Sequence, residues 1–117
     1  MIDLATLRDS CLSFPEVQDV MHSGNPAYRT KKKIFITVRP LEGTANLKLE
    51  PMEQEAVCKK DKKNIFPVDG GWGRQGWTTV RLASVKPQVF MEALSTAWYA
   101  AAPEKLQEAY RQKNQLD

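Results

Sequence analysis

The spacing of apolar residues changes along the chain, and each change predicts a different kind of element. The first apolar positions recur every three or four residues, at Leu4, Leu7, Cys11 and Phe14. This spacing is typical of one helix face, and Pro15 ends it. Asp3 precedes the run and is a suitable N-cap. The sequence therefore predicts an N-terminal helix of about three turns.

A period of two begins at Lys33, with Ile34, Ile36 and Val38 on one face and Phe35, Thr37 and Arg39 on the other, and predicts the clearest strand, which Pro40 ends. A turn at residues 42–44 precedes a second alternating run, so residues 33–39 and 46–49 should form an antiparallel hairpin. Shorter extended runs, separated by turn residues, predict further strands at residues 17–21, 26–29, 65–68 and 77–82.

Helical spacing returns in the middle and at the end of the chain. A helix over residues 51–60 is predicted because Pro51 suits its first turn and Lys59 and Lys60 suit its last. Pro87 and Pro103 precede two further helical runs. Strands and helices in this order predict one α+β domain over residues 1–117, in which an antiparallel sheet packs against N-terminal, middle and C-terminal helices in two layers.

Charge is distributed unevenly although the net charge is only +3. Residues 29–39 contain five basic and no acidic residues, and residues 59–86 contain seven basic and two acidic residues. The rest of the chain is acidic, so these two basic segments favour a polyanionic partner, unless they are simply solvated surface. The absence of a long apolar run and of a basic, apolar leader predicts a cytoplasmic protein without a membrane helix.

Residues that could perform chemistry are few. Gly71 to Gly76 match the spacing G-x-G-x-x-G, but a strand rather than a long helix is predicted to follow, which argues against a dinucleotide site and for a turn. His22 is the one imidazole, and Cys11 and Cys58 are too few and too far apart for a zinc site or a disulfide framework. We expect no catalytic residue, metal or cofactor, and buried, reduced thiols.

Alternation also predicts what each sheet face carries. One face should pack on the helices and contain Ile34, Ile36, Val38, Leu47, Leu49, Val80 and Leu82. The opposite face should contain Phe35, Arg39, Lys48, Trp77 and Arg81. Aromatic rings can stack on unpaired bases while basic side chains attract phosphates. The alternative is that Phe35 and Trp77 form a small second apolar cluster fringed by the charges.

Six short segments, taken in order over about residues 1–110, are similar to motifs of the MmcQ/YjbR-like family. In the first half, Phe14-Pro15-Glu16-Val17 resembles Leu-Pro-Gly-Val, Gly24-Asn25-Pro26-Ala27-Tyr28-Arg29 resembles Gly-x-Pro-Ala-Phe-Arg, and Lys33-Ile34-Phe35 resembles Lys-x-Phe. In the second half, Leu47-Lys48-Leu49 resembles Leu-Lys-Leu, Gly76-Trp77-Thr78-Thr79-Val80 resembles Gly-Trp-x-x-Val, and Ser95-Thr96-Ala97-Trp98 resembles a helical Ser-Tyr. The chain departs from the pattern at Glu16, where the family has glycine, and at Trp98, which stands near its tyrosine.

The resemblance implies a small bacterial protein with a fold related to type III secretion chaperones, no established enzyme activity, and DNA binding through a double-wing motif. We expect that the DNA is either duplex or single-stranded. Together with the basic segments it makes the hairpin at residues 29–33 and the loop before Trp77 candidate wings. The candidate contact residues are Arg29, Lys31, Lys32, Lys33, Arg39, Lys48, Arg74, Trp77 and Arg81.

Two alternatives stay open. One is a protein-interaction or chaperone-like module, as a monomer or a homodimer. The other is a small-ligand or resistance protein with a pocket beside Trp72, Trp77 and Tyr28.

Overall fold

Six antiparallel strands and five helices make up most of residues 1–115, the part of the chain that the computed structural model describes. The elements are α1 (Leu4–Leu12), β1 (Val17–His22), β2 (Asn25–Thr30), β3 (Lys33–Arg39), β4 (Thr44–Lys48), α2 (Pro51–Lys60), β5 (Ile65–Pro67), α3 (Gly71–Arg74), β6 (Trp77–Arg81), α4 (Pro87–Ala101) and α5 (Glu104–Gln115). The predicted α+β class and the predicted order of elements are confirmed. The predicted domain extends to residue 117, and its last two residues lie outside the described part.

Local sequence accounts for the ends of the helices. The Asp3 side chain accepts a hydrogen bond of 2.7 Å from the Thr6 N–H and caps α1. Helices α2 and α4 both begin at a proline, which loses no hydrogen bond at that position. The longest helix of residues 1–115, α4, has 15 residues, and none of these helices has the length and apolar character needed to cross a membrane.

The strands form a single sheet in the order β1-β2-β3-β4-β6-β5. Helix α4 packs across β2, β3 and β4, and its residues Phe90, Leu94 and Trp98 are fully buried. The core residues of β4 and β6 alternate with side chains on the other face, which none of the long helices in the described part of the chain covers. We call this other face the open face. Its central positions are Thr44, Asn46, Lys48, Trp77, Thr79 and Arg81.

A bulge in β3 corrects the predicted positions of two residues. Tyr28 pairs with Ile36 and Arg29 with Ile34, so Phe35 is left without a partner on β2. Phe35 is 0% exposed and lies in the core, although strict alternation placed it on the opposite face. Ile34 was expected in the core and is half-buried on the open-face side of the bulge. The extra residue at the bulge therefore exchanges the faces of Phe35 and Ile34.

The C-terminal helix docks through aromatic rings. Trp98 stacks on Phe14, with ring centroids 5.5 Å apart, and contacts Tyr110 of α5 at 5.0 Å. The Trp98 indole N–H also donates a hydrogen bond of 3.2 Å to the Pro15 carbonyl. These contacts connect both ends of the chain to the same core.

The bulge predicts a large stability cost for a residue that alternation alone would place at the surface. Replacing Phe35 by Ala should lower the free energy of unfolding by about 3–5 kcal/mol, in the range for a buried Phe. Replacing the open-face neighbour Thr37 by Ala should cost much less. Urea denaturation of both variants measures the difference, and a Phe35→Ala variant as stable as Thr37→Ala would place Phe35 outside the core.

Candidate functional site

A cleft of about 540 Å³ lies between the β2–β3 hairpin and the segment that joins α3 to β6. It brings together the two segments that the basic sequence patterns predicted as wings. Its residues come from both sheet and helices: His22, Lys32, Lys33, Ile34, Thr37, Lys48, Leu49, Glu50, Trp72, Trp77, Ala100 and Ala101. We call it the basic cleft.

Several lysines without a carboxylate partner in the described part of the chain line the basic cleft. Three lysines line it, Lys32, Lys33 and Lys48, against a single carboxylate, Glu50. Within residues 1–115 none of the three lysines forms an ion pair. Lys31, beside them in sequence, is paired with Glu16 at 2.5 Å and does not line the cleft. The cleft therefore concentrates cations that lack an anionic partner in the described structure.

Lys48 and Trp77 are cross-strand neighbours at the end of β4 and the start of β6. Both side chains lie on the open face, as the alternation predicted. The Lys48 amine donates a hydrogen bond of 2.6 Å to the carbonyl of Gln75, two residues before the half-buried Trp77. A fixed ammonium beside an aromatic ring suits a ligand that is both anionic and planar.

Trp72 is the most exposed aromatic side chain of the cleft. It lies on the short helix α3 and is 63% exposed. The aromatic contacts within residues 1–115 involve Phe14, Trp98, Tyr99 and Tyr110, so neither cleft tryptophan stacks on another ring there. A large indole that contributes little to the core leaves its ring surface open to a ligand.

Two glycines allow the tryptophan segment to approach the sheet. A Cβ on Gly76, which has φ +109°, would lie 1.7 Å from the Leu49 carbonyl oxygen. A Cβ on Gly73 would lie 1.8 Å from the Val68 carbonyl oxygen. Both distances are far inside contact range, so glycine is required at both positions. The predicted simple turn is in fact the short helix α3, which contains Gly73 and ends two residues before Gly76.

The side chain of Gln54, on α2, anchors the segment that carries the two tryptophans through hydrogen bonds. Its amide nitrogen donates to the carbonyls of Gly73 and Trp77, at 3.0 and 3.2 Å, and to the Thr78 hydroxyl at 3.1 Å. The side chain is buried, and no sequence pattern predicted a role for it. Its spacing from the buried Val57 is the one signal that places Gln54 on the inner face of α2.

The remaining predicted contact residues lie outside the basic cleft. Arg39 and Arg81 flank Thr44 on the open face, but Arg39 is paired with Glu42 and Arg81 lies over the Phe66 ring, 5.2 Å from its centroid. The half-buried Arg29 donates to the Gln18 side chain at 3.1 Å. Arg74 is exposed at the end of α3.

The pocket that was predicted beside Trp72, Trp77 and Tyr28 is only partly correct. Tyr28 is buried on the opposite sheet face, where it lines a separate hollow against α1. His22 and Glu50 were not predicted as lining residues. His22 ends β1 and Glu50 precedes α2, so both lie at the ends of elements, outside the alternation that was used to assign the sheet faces.

The two thiols are held in their protonated form. Burial raises the pKa of Cys11 to about 12, and burial also raises the pKa of the half-buried Cys58. A thiol reacts as its thiolate, so both are weak nucleophiles at neutral pH. Among residues 1–115, no three His, Cys, Asp or Glu side chains are grouped as metal ligands.

A family model described as YjbR matches residues 12–100. The chain belongs to the YjbR family. The match contains the β1–β2 and β2–β3 hairpins, the α3 segment and most of α4, so it covers nearly every element that builds the cleft. The comparison with curated proteins gives no match.

Solved structures share the fold of this family member at low sequence identity. Deinococcus radiodurans protein DR2400, with domain DUF419, is 17% identical over 86% of this chain and 78% of that chain, with a TM-score of 0.72. A protein from Pseudomonas syringae is 13% identical over 85% of this chain and 98% of that chain, with a TM-score of 0.65.

Removing the Gln54 amide should loosen the segment that carries the tryptophans. Gln54→Leu removes the side-chain donor of the Gly73 and Trp77 carbonyls, which keep their backbone donors, the Gly76 and Val68 N–H groups, so it should cost about 0.5–1.5 kcal/mol of unfolding free energy. The same change at the exposed Gln88 is the matched control. Urea denaturation, with amide hydrogen exchange in residues 70–77, measures both effects. Equal stability of the two variants would contradict an anchoring role for Gln54.

The raised pKa of Cys11 predicts a loss of stability at alkaline pH. Because the folded-state pKa is above the unfolded value of about 9, the contribution is full below pH 9 and is lost as the pH rises toward about 12. The unfolding free energy of wild type should therefore fall more steeply over this range than that of Cys11→Ala. Parallel pH profiles of the two proteins would contradict the prediction.

Proposed function

We propose that this YjbR-family protein binds nucleic acid by contacting the phosphate backbone of the nucleic acid and that it catalyses no reaction. In this proposal the basic cleft is the contact surface. The observation that carries the proposal is the convergence of the hairpin lysines, Lys32 and Lys33, with Lys48 and the two tryptophans around one cleft. A phosphate backbone is the polyanion that supplies closely spaced negative charges to such a group.

Ion pairing ranks the candidate contact residues. Lys31 and Arg39 already have carboxylate partners, Glu16 and Glu42, so a phosphate would have to compete with them. Lys32 and Lys33 are exposed and have no such partner within residues 1–115. The hairpin wing therefore acts mainly through Lys32 and Lys33, and the second wing is the α3 segment with Trp72 rather than a flexible loop.

A second candidate function, protein binding, is favoured by a different surface. Strand β1 is an edge of the sheet, and its Met21 and the nearby Leu4 are both exposed beside a hollow of about 550 Å³. Edge strands can pair with another chain. This surface lies on the opposite sheet face from the basic cleft, so the two functions are not mutually exclusive.

The nucleic-acid proposal is tested by titrating labelled DNA between about 50 and 200 mM salt, where phosphate contacts weaken steeply. Replacing both Lys32 and Lys33 by Ala should weaken binding similarly for unrelated sequences and lower the salt slope by about one to two units. Fluorescence anisotropy of wild type and variant gives both quantities.

Lys62 and Lys63 provide the matched control, because they are also adjacent, exposed lysines but lie outside the cleft. Their double replacement by Ala removes the same net charge and should change the slope less. Equal losses in the two variants would show that net charge rather than the cleft matters. A wild type that binds no DNA at low salt would overturn the proposal.

A further inference from the structure

We infer that the basic cleft takes an unpaired nucleobase against Trp72, so that the preferred ligand is a single strand rather than a duplex. The inference rests on the proposed function and makes it more specific. Phosphate contacts alone would not discriminate between a single strand and a duplex, since both carry a phosphate backbone. The aromatic side chains provide the discrimination.

The first observation that supports the inference is the exposed indole of Trp72. At 63% exposure it adds little to the core, and the close glycine contacts and the Gln54 hydrogen bonds fix the backbone that carries it. An exposed ring on a fixed backbone is arranged as a stacking surface, since little ordering is needed when a base arrives. In a duplex the base faces are stacked on each other and are closed to such a ring.

The size and chemistry of the cleft are the second observation. Its volume of about 540 Å³ falls within the roughly 300–1,000 Å³ of small-molecule pockets, which suits a base and its sugar but not a duplex. Trp77 and Ile34 form an apolar wall of the cleft, and Thr37 supplies a hydroxyl that can form a hydrogen bond with the edge of a base.

The position of the ammonium groups is the third observation. Lys48 of β4 lies beside Trp77 of β6, and Lys32 and Lys33 reach the cleft from the hairpin at β3, so the cations continue along the sheet on one side of Trp77. Successive nucleotides of one strand carry successive phosphates. A strand that places one base in the cleft can therefore meet Lys48 and the hairpin lysines with neighbouring phosphates.

The test compares labelled single strands of about 15 nucleotides, at the upper end of single-strand site sizes, with a duplex of equal length. One DNA strand and one RNA strand are used, because both present unpaired bases, and thymidine monophosphate is the free-nucleotide arm. Wild type should bind a single strand more tightly than the duplex.

Two variants of Trp72 form the matched pair. Trp72→Leu removes the ring and should weaken single-strand binding roughly 5- to 150-fold, the range for one lost stacked base. Trp72→Phe keeps a ring and should retain most of the affinity. Because stacking does not depend on phosphate charge, the loss in Trp72→Leu should be the same factor at both salt concentrations. The loss in the Lys32 and Lys33 double variant should shrink as salt rises.

Unchanged melting temperatures would show that both Trp72 variants are folded, as expected for an exposed side chain. Equal affinity for duplex and single strand, or no effect of Trp72→Leu, would overturn the base-stacking inference and leave the phosphate-binding function in place. Binding of thymidine monophosphate as tightly as the strand would overturn the assignment to a strand. A wild type that binds none of the ligands would overturn both proposals.

Discussion

Within residues 1–115 the long helices bury one face of the six-stranded sheet, and this one-sided burial determines how most strand residues are used. The buried residues of α1, α2 and α4 join those of the strands in a single apolar cluster. Every second residue of β4 and β6 is consequently buried, and all of these except Thr78 are apolar, while the intervening positions carry hydroxyl, amide, lysine, arginine and tryptophan side chains. A face that contributes little to the core can carry such residues at little cost in stability, which leaves it available for binding.

The cleft depends on backbone contacts as much as on its side chains. Gly73 and Gly76 let the tryptophan segment touch the chain around β5 and the end of β4, and Gln54 bonds that segment from the core side. Backbone carbonyls are buried at these contacts, so each needs a donor. The position of Trp72 is thus connected to the packing of α2, an element that does not carry any of the cleft lysines.

Sequence patterns predicted the elements well because each is encoded locally. Alternation in β4 and β6 also placed Lys48, Trp77 and Arg81 on the correct face. The bulge at Phe35 was missed because it depends on how β3 pairs with β2, and alternation within one strand contains no information about its partner. The pairing of Lys31 with Glu16 was missed for a similar reason, since fifteen positions separate the two residues. The number of lysines in the sequence therefore overstated the positive charge of the hairpin that lacks a carboxylate partner.

Glu16 and Lys31 have one more property in common, a left-handed backbone, with φ of +55° and +56°. Such a conformation costs a residue other than glycine on the order of 1 kcal/mol, which is at least as much as an exposed ion pair returns. The family motif that Phe14 to Val17 resemble has glycine at the position of Glu16. A relative with that glycine would have a relaxed turn and an additional unpaired ammonium on its hairpin. Glutamate at position 16 therefore neutralises Lys31 at the cost of backbone strain, whereas glycine there would avoid the strain and leave Lys31 unpaired. A change at this one position can alter the electrostatic potential of the hairpin without any change in the lysines.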